Sequence, residues 1–191
     1  EVIDYFIVHN YLLNFDSYTG TMLHNYYLFE EDGLLSMIGW DYNLSFGTFI
    51  YGRDDTATEF VNYPIDTPTT GNVQENRPML DKILTEDEYF DQYHSEFSSF
   101  IESYFESGYF EETINGVSAM IAPYVEKDPT ALCSYEEFLK GVETLKEFNL
   151  LRAESIRGQL DGSIPSTESG QAGSTELINA DYLDLNDMGS K

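Results

Sequence analysis

Apolar positions recur through residues 1–14 at mixed three- and four-residue spacing: Val2, Ile3, Phe6, Ile7, Tyr11, Leu12 and Leu13. That spacing predicts a largely buried helix. The helix should stop at Asn14-Phe15-Asp16-Ser17-Tyr18-Thr19-Gly20, a run of turn formers. Two aromatic and aliphatic runs follow, His24 to Glu30 and Leu34 to Trp40, around Glu31-Asp32-Gly33. Asp-Gly between such runs predicts a β-hairpin. Residues 41–84, with Pro64, Pro68, Pro78 and the Thr-Pro-Thr-Thr-Gly turn at 67–71, read as a long irregular loop, and loops of that length are usually functional.

The second half carries the helical period. Thr85 with Glu88 predicts a capping box ahead of a stripe of Phe90, Tyr93, Phe97, Phe100, Ile101, Tyr104 and Phe105. Such a stripe reads as core packing rather than a ligand platform. Residues 109–122 predict another helix, ended by Pro123. Ser134 with Glu137 predicts a second capping box, opening a helix to about Leu160 along Phe138, Val142, Leu145, Phe148, Arg152 and Ile156. From Asp161 the chain turns acidic and Gly/Ser/Thr-rich, with little to bury before Tyr182 and Leu183, the pattern of a flexible tail. The expected fold class is α+β, mainly helical: a β-hairpin plus a helix bundle over 1–160, followed by a tail over 161–191.

At 191 residues the chain suits one domain, or one domain with a tail. Its 35 acidic and nine basic side chains give a net charge of −26, which repels nucleic-acid phosphates and anionic lipid and excludes both as general partners. No stretch approaches the roughly 20 apolar residues of a membrane span. The single cysteine, Cys133, excludes an internal disulfide and a cysteine-based metal site. Residues 1–14 lack the basic region and cleavage site of a signal peptide and enter a helix without a cap, so the chain is expected to start inside a larger domain. The location of the charge says more than its sum. Residues 1–52 hold seven Asp or Glu and no Lys or Arg, and residues 85–112 hold nine and again none. The second run reads as a solvated helix face. The first surrounds the candidate chemistry.

Asp16 follows a helix end in a polar loop, Asp41 follows a strand end in Trp40-Asp41-Tyr42-Asn43, and His24-Asn25 enters the hairpin between them. A hairpin folded back beside the first helix would bring Asp16, Asn25 and Asp41 to one end of the sheet. Two carboxylates and an amide oxygen with no nearby cation repel one another unless something positive joins them. A divalent metal with oxygen ligands, Mg²⁺ or Mn²⁺, supplies that charge and brings substrate phosphates with it. The same residues also read as a turn residue, a strand-start amide and a hairpin-end cap, which spacing alone favours. Bulky Trp40, Tyr42, Leu44 and Phe46 around Asp41 argue the other way, since a partly buried carboxylate needs a partner.

His24-Asn25-Tyr26-Tyr27-Leu28, followed by Trp40-Asp41-Tyr42-Asn43-Leu44-Ser45-Phe46-Gly47, resembles the signature of the CotH kinase family. Asn14-Phe15-Asp16-Ser17-Tyr18-Thr19-Gly20 resembles that family's Asn-x-Asp-x-Tyr-x-Gly segment, and Arg152-Ala153-Glu154-Ser155-Ile156-Arg157 its closing helix. Together these cover roughly residues 2–160. The resemblance implies the C-terminal lobe of an atypical kinase-like fold that transfers the γ-phosphate of ATP to serine, with threonine a second possible acceptor, of a protein. It puts the catalytic Asp at Asp16 and the metal-binding Asp at Asp41, with Asn25 a second metal or phosphate ligand. His24 and Asn43 join the nucleotide and metal site, Asn43 standing where many relatives carry an acid. It implies ATP with Mg²⁺ or Mn²⁺ as cofactors and a serine-containing surface or coat protein as substrate. The location it implies is bacterial extracellular, cell-surface or spore coat. The family's ATP-covering strands and phosphate-pairing Lys or Arg are expected upstream of residue 1. The Gly-rich loop, Val-Ala-Ile-Lys, His-Arg-Asp and Asp-Phe-Gly strings of ordinary kinases are absent.

Two other classes compete with a kinase: a non-catalytic surface or coat assembly module that keeps the fold, and a metal-independent hydrolase using Asp16 and Asp41 as an acid/base pair. His9 reads as a structural imidazole, His24 as able to orient Asp16 or Asn25, and His94 as surface. Arg53 and Arg77, the cations near the irregular loop, read either as phosphate or substrate contacts or, as is more common, as salt-bridge partners of the surplus acid. Ser166, Thr167, Ser169, Ser174 and Thr175 are accessible hydroxyls in the expected tail.

Overall fold

The structure, a computed structural model, describes residues 1–49, 54–69 and 74–189. It is mainly helical α+β, as the hydrophobic pattern predicts. Helix α1, Val2–Tyr11, runs into the loop bearing Asp16, and strands β1, Tyr26–Glu31, and β2, Leu34–Gly39, form an antiparallel hairpin. The connection is the expected Asp32-Gly33 pair. Both residues take positive φ, 54° and 81°, the twist that a two-residue hairpin turn requires.

The stretch expected to be irregular contains two helices. Helix α2, Ala57–Val61, opens with a full Thr56/Glu59 capping box, and α3, Pro78–Thr85, starts on Pro78, whose fixed φ suits a first helical turn. Thr85 is therefore the last residue of α3 and not a cap. Its hydroxyl donates back to the Asp81 carbonyl, and α4, Asp87–Ile101, begins without a side-chain cap. A π-helical turn, Glu102–Glu106, extends α4 and brings Phe105 onto the core. Helix α5, Tyr109–Val125, carries Pro123 inside its last turn. Helix α6, Tyr135–Asp161, opens with the predicted Ser134/Glu137 capping box and ends on Gly162 at φ 81°.

Two apolar clusters hold the body together. One joins Phe6 and Ile7 of α1 with Leu80, Tyr93, Phe97, Ile101, Ile156 and Met37 of β2. The other joins Leu13 and Phe15 with Phe60, Val61, Phe148 and Ala180. Ala180 marks a difference from the expected tail. Residues 161–189 pack on the body, through a short helix α7, Glu168–Gln171, and a 3₁₀ turn, Leu185–Met188. Ile178, Leu183, Leu185 and Met188 lie against the second cluster. The Asn62 amide donates to the Ile178 carbonyl at 2.8 Å, and the Thr58 hydroxyl accepts from the Ala180 N–H at 2.8 Å. A thinly apolar segment is held here by backbone hydrogen bonds that composition does not reveal.

Polar atoms also organise residues 61–65. Arg152, fully buried on α6, donates to the carbonyls of Val61, Tyr63 and Asn10 and to the Asn10 side chain, at 2.6 to 3.3 Å. Gln159 accepts from the Ile65 N–H at 2.9 Å, and Tyr93 donates to the Ile65 carbonyl at 2.9 Å. Backbone outside regular structure needs such partners when buried.

Among the described residues, no helix is long and apolar enough to cross a membrane.

Candidate functional site

Helix α1 ends because its chain turns left-handed at Leu13, φ 49°. The loop then closes on itself. Asn14 accepts the Asp16 N–H through its side chain at 3.2 Å, the Ser17 hydroxyl donates to the Asn14 carbonyl, and the Gly20 N–H returns to the Ser17 carbonyl at 3.2 Å. Gly20 sits against the Phe15 carbonyl, where a Cβ would overlap backbone. Glycine is required by that close approach.

Asp16 is 8% exposed, and both of its carboxylate oxygens have partners. His24 Nε2 bonds to Oδ1, and Asn25 Nδ2 donates to Oδ2 at 3.0 Å and to the Asp16 carbonyl at 2.9 Å. The structure thus joins Asp16, His24 and Asn25 in one cluster. Asn25 takes φ 58°, and its carbonyl accepts the Trp40 N–H at 3.3 Å, the bond that closes the open end of the hairpin. Asp41 stands one residue past that bond, exposed, at φ 65°, and caps the 3₁₀ turn Tyr42–Leu44 by position alone. Among the described residues its carboxylate makes no hydrogen bond or ion pair. Asn43 lies in the same turn, exposed. The chain is then returned to α1: the Phe46 N–H donates to the Leu12 carbonyl at 2.5 Å and the Gly47 N–H to the Leu13 carbonyl at 3.4 Å.

Five non-glycine residues with positive φ, Leu13, Leu23, Asn25, Asp41 and Phe46, lie in the segments that frame these groups. Each is disfavoured by order 1 kcal/mol or more, and such strain concentrates where side chains are held for function.

The other residues singled out by sequence fall as follows. His9 is buried, donates through Nδ1 to the Tyr5 carbonyl at 2.9 Å, stacks on the Tyr5 ring at 3.8 Å, and has no partner at Nε2. Burial lowers its imidazole to about 4, against the smaller upward pull of the Tyr5 carbonyl. It is structural, as expected. It lines a cleft of about 830 Å³ between α1 and β2, where Gly39 leaves no room for a Cβ beside the His9 ring and the Tyr42 hydroxyl. His94 is not a simple surface group: its Nε2 pairs with Asp66 Oδ1 at 2.8 Å, where α4 meets the chain before α3. Arg53 lies outside the described residues.

Arg77 corrects the expectation of a salt bridge. Its guanidinium is buried and donates to two backbone carbonyls, Tyr18 at 2.7 Å and Gly20 at 2.5 Å. Burial lowers its pKa, with smaller opposing contributions from Tyr18 and Tyr26. Sequence reading missed this loop-holding role. The available signal was Arg77-Pro78, a cation placed just ahead of a helix start.

A divalent cation fits the donor set in part. Asn25 Nδ2 is spent on Asp16, which leaves its side-chain oxygen for a ligand, and the Asp41 carboxylate is exposed. An octahedral magnesium site commonly takes one or two protein oxygens plus waters and phosphates. Among the described residues, no group of three or more His, Cys, Asp or Glu is placed to hold a metal. The triphosphate of a nucleotide fits less well, because residues 1–52 carry no cation and Arg77 is committed to carbonyls.

A family model described as CotH kinase protein matches residues 1–156 of the chain. The chain is also 26% identical, over 149 residues, to the inner spore coat protein H of Bacillus subtilis (strain 168). That match covers 77% of this chain and 37% of the relative's length. No solved structure matches the chain.

Proposed function

The chain belongs to the CotH kinase protein family, and on that premise we propose that it is the metal-bearing, helical part of an atypical protein kinase. The reaction is transfer of the γ-phosphate of ATP to a serine, or a threonine, of a protein. Its substrate class is a serine-containing coat or surface protein, and its location the spore coat or bacterial cell surface. The spore-coat name of the Bacillus subtilis relative supports that location.

The observation that carries this reading is the double hold on Asp16. With Oδ1 at His24 and Oδ2 at Asn25, the carboxylate is fixed in direction while staying at the edge of solvent. A positioned carboxylate can orient a substrate hydroxyl and take its proton as the oxygen attacks, the role a catalytic Asp plays in phosphoryl transfer. His24 Nε2 fixes the direction of one carboxylate oxygen. Asn25 orients Asp16 through its amide nitrogen, which leaves its oxygen as the atom that would meet the ion. Asn25 and Asp41 are the residues that would hold Mg²⁺ or Mn²⁺, and the ion, when bound, would offset charge on the transferred phosphoryl group. Asn43 adds a neutral ligand where an acid would bind more tightly. The cations that pair with the triphosphate would come from the remainder of the polypeptide.

The test uses the full-length protein with Mg²⁺, radiolabelled ATP and a serine-rich coat-protein acceptor. Asp16→Asn is expected to lower kcat by about 10²–10⁴-fold, the usual value of a positioned base. Asp41→Asn is expected to raise the Mg²⁺ concentration needed for half-maximal rate. Undiminished transfer by both variants removes these residues from the mechanism.

A second reading, a non-catalytic assembly module, is favoured by the absence of any cation in residues 1–52. Calorimetry on the full-length protein separates the two: neither Mg²⁺ nor ATP binding supports the module, and binding of both supports the kinase.

A further inference from the structure

Resting on the assignment of Asp16 as the reacting carboxylate, we infer that Arg77 is a positioning residue of the site. It holds the loop of residues 14–20 in the shape that presents Asp16 to His24 and Asn25. The chain has nine basic side chains against 35 acidic ones, yet this cation is buried on backbone carbonyls instead of a carboxylate. Its Nε–H donates to the Tyr18 carbonyl and a terminal N–H to the Gly20 carbonyl. Both carbonyls lie outside helix and strand, on the limb of the loop after Asp16, where no ladder satisfies them. The tie is reinforced from the same helix start, since the Met79 N–H donates to the Tyr18 hydroxyl at 3.4 Å.

The other limb needs no such help. Leu13, Asn14 and Phe15 are anchored by the end of α1 and by their own turn bonds. Asp16 is thus fixed from one side by α1 and from the other by Arg77 at the start of α3. A planar guanidinium reaches two acceptors at a set angle; an ammonium is a point donor that does not reproduce the fork. Exchange of one for the other keeps the charge and most of the stem but releases one carbonyl, so the loop loosens while the body stays folded.

The experiment uses the full-length protein with Arg77→Lys, Arg77→Met and, as a control, Arg157→Lys, which alters a half-buried cation on α6 bound to Glu106 and Ser98 and not to the loop. The first readout is the imidazole nitrogen resonances of labelled His24, which report its contact with Asp16 and require no catalysis. The second is kcat and KM for Mg²⁺-ATP. In Arg77→Lys the His24 signals are expected to shift toward those of Asp16→Asn. The same variant should lose about 10- to 100-fold in kcat, with KM for ATP within about twofold, the signature of a misplaced group rather than lost binding. Arg77→Met should exceed it in both, and Arg157→Lys should match the wild type. Unmoved His24 signals in Arg77→Lys overturn the inference, as does an unmoved kcat. If the wild type transfers no phosphate, the kinase reading fails by itself and the His24 signals still decide the role of Arg77. Should both variants unfold, hydrogen exchange in the wild type decides: the Arg77 Nε–H is expected to exchange at least about tenfold more slowly than free arginine, because a buried bond must open first. Exchange at the free rate overturns the inference.

Discussion

The helical body around Arg152 and the β1–β2 hairpin solve opposite problems. In the body, polar side chains are inside and hydrogen-bonded: Arg152, Asn10, Asn62, Ser155 and Gln159 are buried and bind the backbone of residues 61–65 or one another, and among the described residues Arg152 Nε alone of their atoms is left without a partner. In the hairpin, apolar side chains are outside. The register pairs Tyr27 with Ile38, and Glu31 with Leu34, on one face of the hairpin. Tyr27 is 63% exposed and Leu34 75%, and Phe29 and Ile38 are exposed beside them. Only Met37 of the hairpin reaches the core as a buried side chain. The body therefore completes its own packing, whereas the two-stranded sheet has open edges and an uncovered apolar face. Two strands are barely stable by themselves, so this hairpin is kept in place by α1 and by the closure at Asn25 and Trp40. The candidate site lies on the seam between the two regions, tied to the body through Arg77 and α1 and to the hairpin through Asn25.

Breaking the body should have the largest effect on stability. Arg152→Met removes the guanidinium bonds to three backbone carbonyls and to the Asn10 side-chain oxygen, and removal of one partner from a buried charged network costs about 3–5 kcal/mol. Urea unfolding should show the unfolding free energy falling by that amount through a lower midpoint, with little change in slope. A loss under about 1 kcal/mol would mean that the carbonyls find water and that the body is less closed than it looks.

The seam gives a smaller, pH-dependent effect. Burial holds the His9 imidazole at about 4 in the folded protein, below its ordinary value of 6.5. A folded value below the unfolded one means that the folded state prefers the neutral ring. Its stabilisation is therefore complete above about pH 6.5 and declines as pH falls toward 4, by about 3 kcal/mol over that span. Unfolding free energies of the wild type and His9→Leu, measured at several pH values from 7 to 4, should differ in slope by that total. Parallel curves would place the His9 ring in contact with water.

Changes at the exposed apolar positions of the hairpin should do least. Tyr27→Thr and Leu34→Thr are each expected to alter stability by no more than about 0.5 kcal/mol, since these side chains are already in solvent. A loss above about 2 kcal/mol would show that the face is covered and would erase the contrast with the body.

Much of this was legible along the chain because the signals are local. The Asp32-Gly33 turn, the Ser134/Glu137 box and the Tyr93, Phe97, Ile101 and Phe105 stripe depend on neighbours within a few residues, and each is found where its spacing places it. Errors came where a local signal had a rival. Thr85 and Glu88 have capping-box spacing, but Pro78 starts a helix earlier and uses Thr85 as its end. The segment after Asp161 has few apolar residues, but Asn62, Thr58 and a groove beside Phe60 give it partners. Of the site, the residues Asp16, His24, Asn25 and Asp41 were visible as types at suggestive spacing. Which oxygen of Asp16 faces which partner was not.

Element types, the absence of an internal disulfide and the strongly acidic character follow from the amino-acid order alone, since helices, turns and charge obey neighbours and sums. The clamp of Arg77 on Tyr18 and Gly20, the burial of Arg152 and the double hold on Asp16 were decided only by tertiary structure. Each joins groups far apart along the chain, with hydrogen bonds whose direction depends on where a backbone carbonyl points after folding. No spacing rule carries that information.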